Sequence, residues 1–265
     1  MGTPFDHDLK LSRAAYHLEQ LHTHIVAWRR QHRLAYRIRG DLNKGQELVV
    51  LASGENPGHD PLALIVGDCI HNMRASLDLL AFALLRANHV AMSTPVPAKL
   101  VKRSSFPIFS DPREFADKRE TLIGGIDPRA QSVVESLQPY QKSGTSDPLW
   151  LLHRLDIVNK HRLLNLVYSV VGHLGYQKPI NVDFSVMNVE WTNQPVSDDT
   201  PVARITGLKP RDPRATTHLE VRPDYYLALA EGDTIVIPNS VGVLLTTIHA
   251  YIHDDVFPRF VDYLQ

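Results

Sequence analysis

Two segments of the 265-residue chain place histidine, arginine, asparagine and carboxylate side chains at spacings that could do chemistry. The first runs Gly67-Asp68-Cys69-Ile70-His71-Asn72-Met73-Arg74-Ala75-Ser76-Leu77-Asp78. Laid on a helix at about 100° per residue, it is predicted to present Val66, Cys69, Ile70, Met73, Leu77, Leu80 and Leu84 as one apolar face. His71, Arg74 and Asp78 then share a flank at spacings of three and four, close enough to touch. The second segment runs from Leu151 to Leu166, and its apolar face comprises Leu151, Leu152, Leu155, Leu163 and Leu166. Asn159 and Arg162 fall inside that face. A polar side chain aimed at a core costs free energy unless it is bonded, so each is expected to meet a partner on a facing element. Asp78 is the anion available to Arg162, and His71 or Asn72 would complete the network. A cleft of His, Arg, Asn and Lys between two helices suits a phosphate or a carboxylate. A purely structural ion-pair cluster would use the same residues.

Other arrangements are weaker. His249 and His253 are four apart on a helical stretch and are followed by Asp254 and Asp255, a spacing that metal ligands use, but the glutamate of a metalloprotease motif is absent. Asp68 and His71 are three apart, as in the carboxylate-x-x-His unit of di-iron bundles, without a matching second unit. His22 and His24 point to different faces of one helix. Arg29, Arg30, His32, Arg33, Arg37 and Arg39 form the one local basic patch, in a first 40 residues that hold seven Lys or Arg against three Asp or Glu. Such a patch could steer RNA or another anion. There is no glycine-rich phosphate loop, no Gly-x-Ser-x-Gly elbow and no Cys-x-x-Cys pair.

These residues need elements to position them. Spacings of three and four predict helices over 9–33, 61–88, 149–172 and 241–265, the last broken near Pro258. Asp60-Pro61, Asp127-Pro128 and Asp147-Pro148 each read as a helix cap followed by proline in the first turn. Residues 34–51 read as a hairpin turning at Asp41-Leu42-Asn43-Lys44-Gly45, and the Pro-rich stretch 90–127 as an irregular excursion with a short helix near 114–120. Alternation around Val182, Ala203, Leu219 and Thr234 predicts a β-rich insertion over 176–238. The expectation is an α+β protein: a bundle of about four long helices with an N-terminal hairpin and an inserted antiparallel sheet, in one integrated domain over 1–265.

Composition narrows the class. With 43% hydrophobic and 22% charged residues the chain can bury a full core, which excludes a disordered tail or a disulfide-stapled miniprotein. Lys plus Arg number 28 and Asp plus Glu 29, so no whole-chain field attracts nucleic acid or membrane. The single cysteine, Cys69, the lack of a basic start with an apolar block, and the lack of a membrane-spanning run point to the cytoplasm. The 14 histidines are scattered, so their number alone decides nothing.

The run from His71 to Leu80, followed by Asn159-Lys160-His161-Arg162-Leu163-Leu164, resembles the paired signature of an uncharacterised family of bacterial proteins. That signature reads His-Asn-Leu-Arg-x-x-Leu-Asp on one helix and Lys-His-Arg on a later one. Phe106-Pro107-Ile108, and Pro139-Tyr140 after Ser136-Leu137-Gln138, are similar landmarks, and the likeness covers most of residues 10 to 175 without implying an activity. More loosely, the chain resembles the HEPN superfamily of helical bundles, which includes metal-independent ribonucleases and toxins. That resemblance implies a homodimer with a composite site, an arginine on the scissile phosphate and a histidine moving protons as a 2′-hydroxyl attacks. Its marker is Arg, a polar residue, and then His four to six residues after the Arg. Arg154 and His161 approach it, with Leu155 in the polar place. On this reading the site comprises His71, Asn72, Arg74, Asp78, Asn159, Lys160, His161 and Arg162. His161 or His71 serves as general acid/base, Arg74 and Arg162 hold phosphate, and Asp78 and Asn159 orient them. The expected partner is RNA or another phosphate- or carboxylate-bearing ligand, with no cofactor and no membrane. A second reading is a metal-dependent enzyme on a small molecule, holding a divalent ion with Asp68, His71, His249 and His253. A third is a non-catalytic binding protein.

Overall fold

The protein is described by a computed structural model covering residues 5–31, 34–54, 61–142, 144–161, 165–192, 194–231, 234–237 and 240–264. It is an α+β chain. Its elements run α1 Asp6–Gln31, β1 Ala35–Arg39, β2 Leu48–Ser53, α2 Pro61–Ala91, α3 Ala98–Arg103, α4 Pro112–Ile123, α5 Pro128–Ser136 and α6 Pro148–His161. Then follow β3 Asn165–Ile180, β4 Val182–Asp183, β5 Asn188–Trp191, β6 Thr200–Thr206, β7 Lys209–Pro210, β8 His218–Glu231, β9 Thr234–Ile237 and α7 Val241–Ala250. A π-helical turn, Tyr251–Val256, and a 3-10 stretch, Phe257–Tyr263, continue α7. Contacts divide the chain into two compact units, one built from residues 1–22, 64–163 and 242–265 and the other from 23–63 and 164–241.

In the first unit the core is helical. The predicted face of α2 is buried throughout: Val66, Cys69, Ile70, Met73, Leu77, Leu80 and Leu84 are each 2% exposed or less. Leu11 and Ala14 of α1, Leu152 and Leu155 of α6, and Leu245 and Ile248 of α7 are buried with them. The Cys69 Sγ contacts the Ala14 carbonyl at 3.7 Å, and burial, with Asp68 nearby, pushes its thiol up to about 12. The proline-led helices start as their caps require. Asp111, Asp127 and Asp147 each accept a 2.8 Å hydrogen bond from a backbone N–H two residues on, at Arg113, Arg129 and Leu149. Asp60 lies outside the described residues.

The second unit is built on antiparallel sheets. One has four strands in the order β1-β2-β6-β5, another three in the order β3-β8-β9, and β4 pairs with β7. The hairpin turns where its sequence predicts: Asp41 accepts from the Asn43 N–H at 3.0 Å and Gly45 takes the left-handed conformation at φ 69°. One predicted element is corrected. The helix expected over 149–172 ends at His161, and residues 165–180 form β3, paired from Asn165↔Ala230 to Ile180↔His218 with β8. The apolar residues between Leu163 and Val171, interrupted by Asn165 and Ser169, are compatible with either a helix or a strand, and Val167, Tyr168, Val170 and Val171 favour the strand. Likewise Val182 to Val186 alternates, yet only Val182–Asp183 pair as a strand, because the chain turns at once with the Met187 N–H bonded to the Phe184 carbonyl.

Candidate functional site

The α2 motif folds into a clamp on one loop. Arg74 and Asp78, one helical turn apart, form an ion pair of 2.8 Å between Nη2 and Oδ1. The same Asp78 Oδ1 accepts from the Ser105 hydroxyl at 2.8 Å and from the Phe106 N–H at 3.0 Å. Arg74 Nη2 also donates to the Phe106 carbonyl at 2.7 Å and to Ser105 Oγ at 3.1 Å. Both backbone groups of Phe106 are therefore satisfied by α2 side chains, while its ring is buried edge-on to Phe260 with centroids 6.4 Å apart. Arg74 has a second nitrogen, Nη1, which is buried and has no hydrogen-bond partner among the described residues. A guanidinium donor removed from water without an acceptor costs free energy.

Helix α6 supplies the rest. His153 is half-buried, and burial, the Arg74 charge and then Lys160 push its imidazole below the usual histidine range against the opposing pull of Asp156 and Asp78. It is therefore neutral near neutral pH and able to accept a proton. Asp156, its side chain 3% exposed, pairs through Oδ2 with Lys160 Nζ at 2.6 Å, while its Oδ1 is buried without a partner among the described residues. Lys160 extends outward, 57% exposed. Asn159 turns to α2, where its amide donates to the Gly67 carbonyl at 3.4 Å. The two helices approach so closely there that a Cβ on Gly67 would lie 2.7 Å from Asn159 Oδ1.

The expected residues thus separate. Arg74 and Asp78 meet, Asn159 finds the facing partner that its position in an apolar face requires, and Lys160 lies on the same helix. His71 is exposed. Asn72 faces α1, accepting from Lys10 Nζ at 3.4 Å and donating to the Asp68 carbonyl at 2.7 Å, beside a cavity of about 430 Å³ with Asp6, Leu9, Arg13 and Leu79. Arg162 and the side chain of His161 lie outside what is described, and with them the expected Arg162–Asp78 pair. Arg154, of the Arg/His marker, is exposed. Sequence reasoning missed His153, Asp156 and Ser105; the spacing of three from His153 to Asp156 and four from Asp156 to Lys160 was the available signal.

Of the residues of the metal reading, His249 and His253 stack with ring centroids 6.3 Å apart, but each has its own partner. Asp68 and His71 are exposed on α2, His249 Nε2 lies 3.3 Å from the Leu11 carbonyl, and His253 Nδ1 pairs with Asp254 at 2.6 Å. Among the described residues no group of three or more His, Cys, Asp or Glu is arranged to hold a metal ion. In the basic patch, Arg29 bonds the Tyr225 carbonyl and stacks on its ring, and Arg37 pairs with Asp199. Arg30 and Arg39 are exposed, and His32 and Arg33 lie outside the described residues. No described helix is long and apolar enough to cross a membrane. Compared with known proteins, the chain matches no family model, no curated protein and no solved structure.

Proposed function

We propose that the α2–α6 polar cluster binds an anionic group, and that the group is a phosphate of RNA. The observation that carries this reading is the buried Arg74 Nη1, unpartnered among the described residues, on an arginine whose charge helps keep His153 neutral. Arg74 supplies a fixed donor for a phosphate oxygen, Lys160 adds an exposed cation paired with Asp156, and Asn159 is held at the approach of the helices. His153 is the group best placed to move a proton, in place of the exposed His71. If the site cleaves RNA as a HEPN-like ribonuclease would, the 2′-oxygen bonds to phosphorus while the bond to the 5′-oxygen breaks. The 2′-hydroxyl proton passes to the imidazole, and a proton returns to the departing oxygen. A cytoplasmic, homodimeric endoribonuclease is the fullest form of this proposal, and an anion-binding protein without catalysis its simplest.

The test is RNA binding by fluorescence anisotropy over a salt series, with cleavage followed on gels with and without chelator. Because Arg74 also holds the Phe106 loop, the informative variants are Lys160→Ala and His153→Gln, with His161→Ala probing the residue that the resemblance implies. Lys160→Ala should weaken binding several-fold and lower the salt slope by about one. His153→Gln should abolish any cleavage while leaving binding within about twofold. RNA affinity indifferent to Lys160 and to salt would sink the proposal.

A further inference from the structure

The geometry points to a second binding site, for a small hydrophobic amine, in an aromatic cavity at the start of α1. The cavity, of about 410 Å³, is lined by Phe5, His7, Asp8, His253, Phe257, Pro258, Val261 and Leu264, a size suited to a small organic ligand. Its walls are rings and aliphatic groups. The Phe5 and His7 rings stack with centroids 5.3 Å apart, and Phe257 meets His7 edge-on at 4.8 Å. Phe5 and Leu264 also line a neighbouring cavity of about 370 Å³ with Ala83, Ala87 and Val90, where Arg86 is the one charged side chain among the described lining residues.

What selects an amine is that the unengaged polar atoms of this wall are acceptors, its donors, the Phe5 N–H and the His7 Nε2–H, already facing Asp8. The His7 side chain is only 4% exposed, yet its Nδ1 is buried with no partner among the described residues. Its Nε2 faces the Asp8 carboxylate at 3.7 Å, which favours the proton on Nε2 and leaves the Nδ1 lone pair unmatched. Burial outweighs the pull of Asp8 and Asp6, so the ring stays neutral and does not cancel the Asp8 charge. Asp8 accepts from the Phe5 N–H through Oδ2 at 3.2 Å, faces His7 Nε2 through Oδ1, and lines the cavity with a side chain that is 43% exposed. Among the described residues no lysine or arginine lines the chamber, and His253, also in its wall, is already engaged with Asp254. A primary ammonium supplies three donors and a positive charge to a lone pair, a carboxylate and aromatic faces; an alcohol supplies one donor and no charge, and a carboxylate repels.

The probes are phenethylamine, phenethyl alcohol and phenylacetate, titrated against the full chain by calorimetry. The amine should saturate the protein with a Kd below about 1 mM and bind at least about fivefold more tightly than the alcohol, with phenylacetate weakest. Asp8→Asn, which keeps an acceptor for the Phe5 N–H, should erase that preference, and Phe257→Leu should weaken all three probes. An unchanged thermal unfolding profile establishes that each variant is folded. Equal affinity for amine and alcohol, tighter binding of phenylacetate, no saturation by the amine, or a preference that survives Asp8→Asn would each overturn the assignment.

Discussion

Arg74 serves two masters, and its two terminal nitrogens divide the work. Nη2 holds Asp78, Ser105 and the Phe106 carbonyl, whereas Nη1 holds nothing among the described residues. Truncating Arg74 would strip the Phe106 carbonyl of its donor and leave Asp78 without its cation, so Arg74→Ala should destabilise the fold by about 2–3 kcal/mol in urea denaturation. Asp78→Ala should cost a similar amount, because it leaves an arginine that is only 11% exposed without its counter-charge and the Phe106 N–H without its acceptor. The double variant should lose about 1–2 kcal/mol less than the sum of the two, the signature of a shared network. Strict additivity would show that the two side chains act separately. Half of this unit was legible in sequence, since a spacing of four on a helix announces the ion pair. Ser105 and Phe106, 27 and 28 residues from Asp78, were not, because nothing local in a proline-rich stretch says which carboxylate its backbone will meet. His153 was hidden for a related reason: its lowered pKa comes from burial and from Arg74 on another helix.

At the scale of elements, the sequence was clearest where one period had no competitor. The face of α2 repeats at three and four without interruption, and it is the most completely buried face described. Residues 163–172 read equally as helix or strand, and tertiary pairing decided: β3 finds a long antiparallel partner in β8, which lies 38 or more residues away along the chain. The close approach of α2 and α6 gives an element-scale prediction. Alanine favours a helix interior over glycine by about 1 kcal/mol, but a methyl at Gly67 would lie 2.7 Å from Asn159 Oδ1. Gly67→Ala should therefore be neutral or destabilising in the native chain and stabilising by up to about 1 kcal/mol once Asn159→Ala has cleared the space. Thermal or urea unfolding of the four chains completes the cycle. A gain from Gly67→Ala alone would mean that Asn159 yields freely and does not set the helix spacing.

Across the whole molecule, burial lowers three histidines of the first unit, His7, His153 and His249. Each is favoured neutral in the fold, while in the unfolded chain each takes up a proton near about pH 6.5. The unfolded state then binds more protons, so stability from this source is complete above about pH 6.5 and drains away as pH falls toward each depressed folded value. The buried cap Asp147 works in the opposite direction: its raised carboxyl lends stability that is fully present at low pH and lost as pH rises through the folded value. The urea midpoint should fall between about pH 7 and about pH 5.5, and His153→Gln should flatten part of that slope. A midpoint that is level across this interval would show that the histidines ionise alike in both states.

The division into units also fixes an order of events during synthesis. The first unit draws on residues 1–22 and again on 242–265, with the whole of the other unit encoded between them. A ribosome releasing the chain from its N-terminus completes the sheets before it delivers the segment that buries Leu245, Ile248 and Phe260. Until then the apolar stripes of α1 and α2 lack part of their cover, a window in which exposed apolar surface invites association between nascent chains.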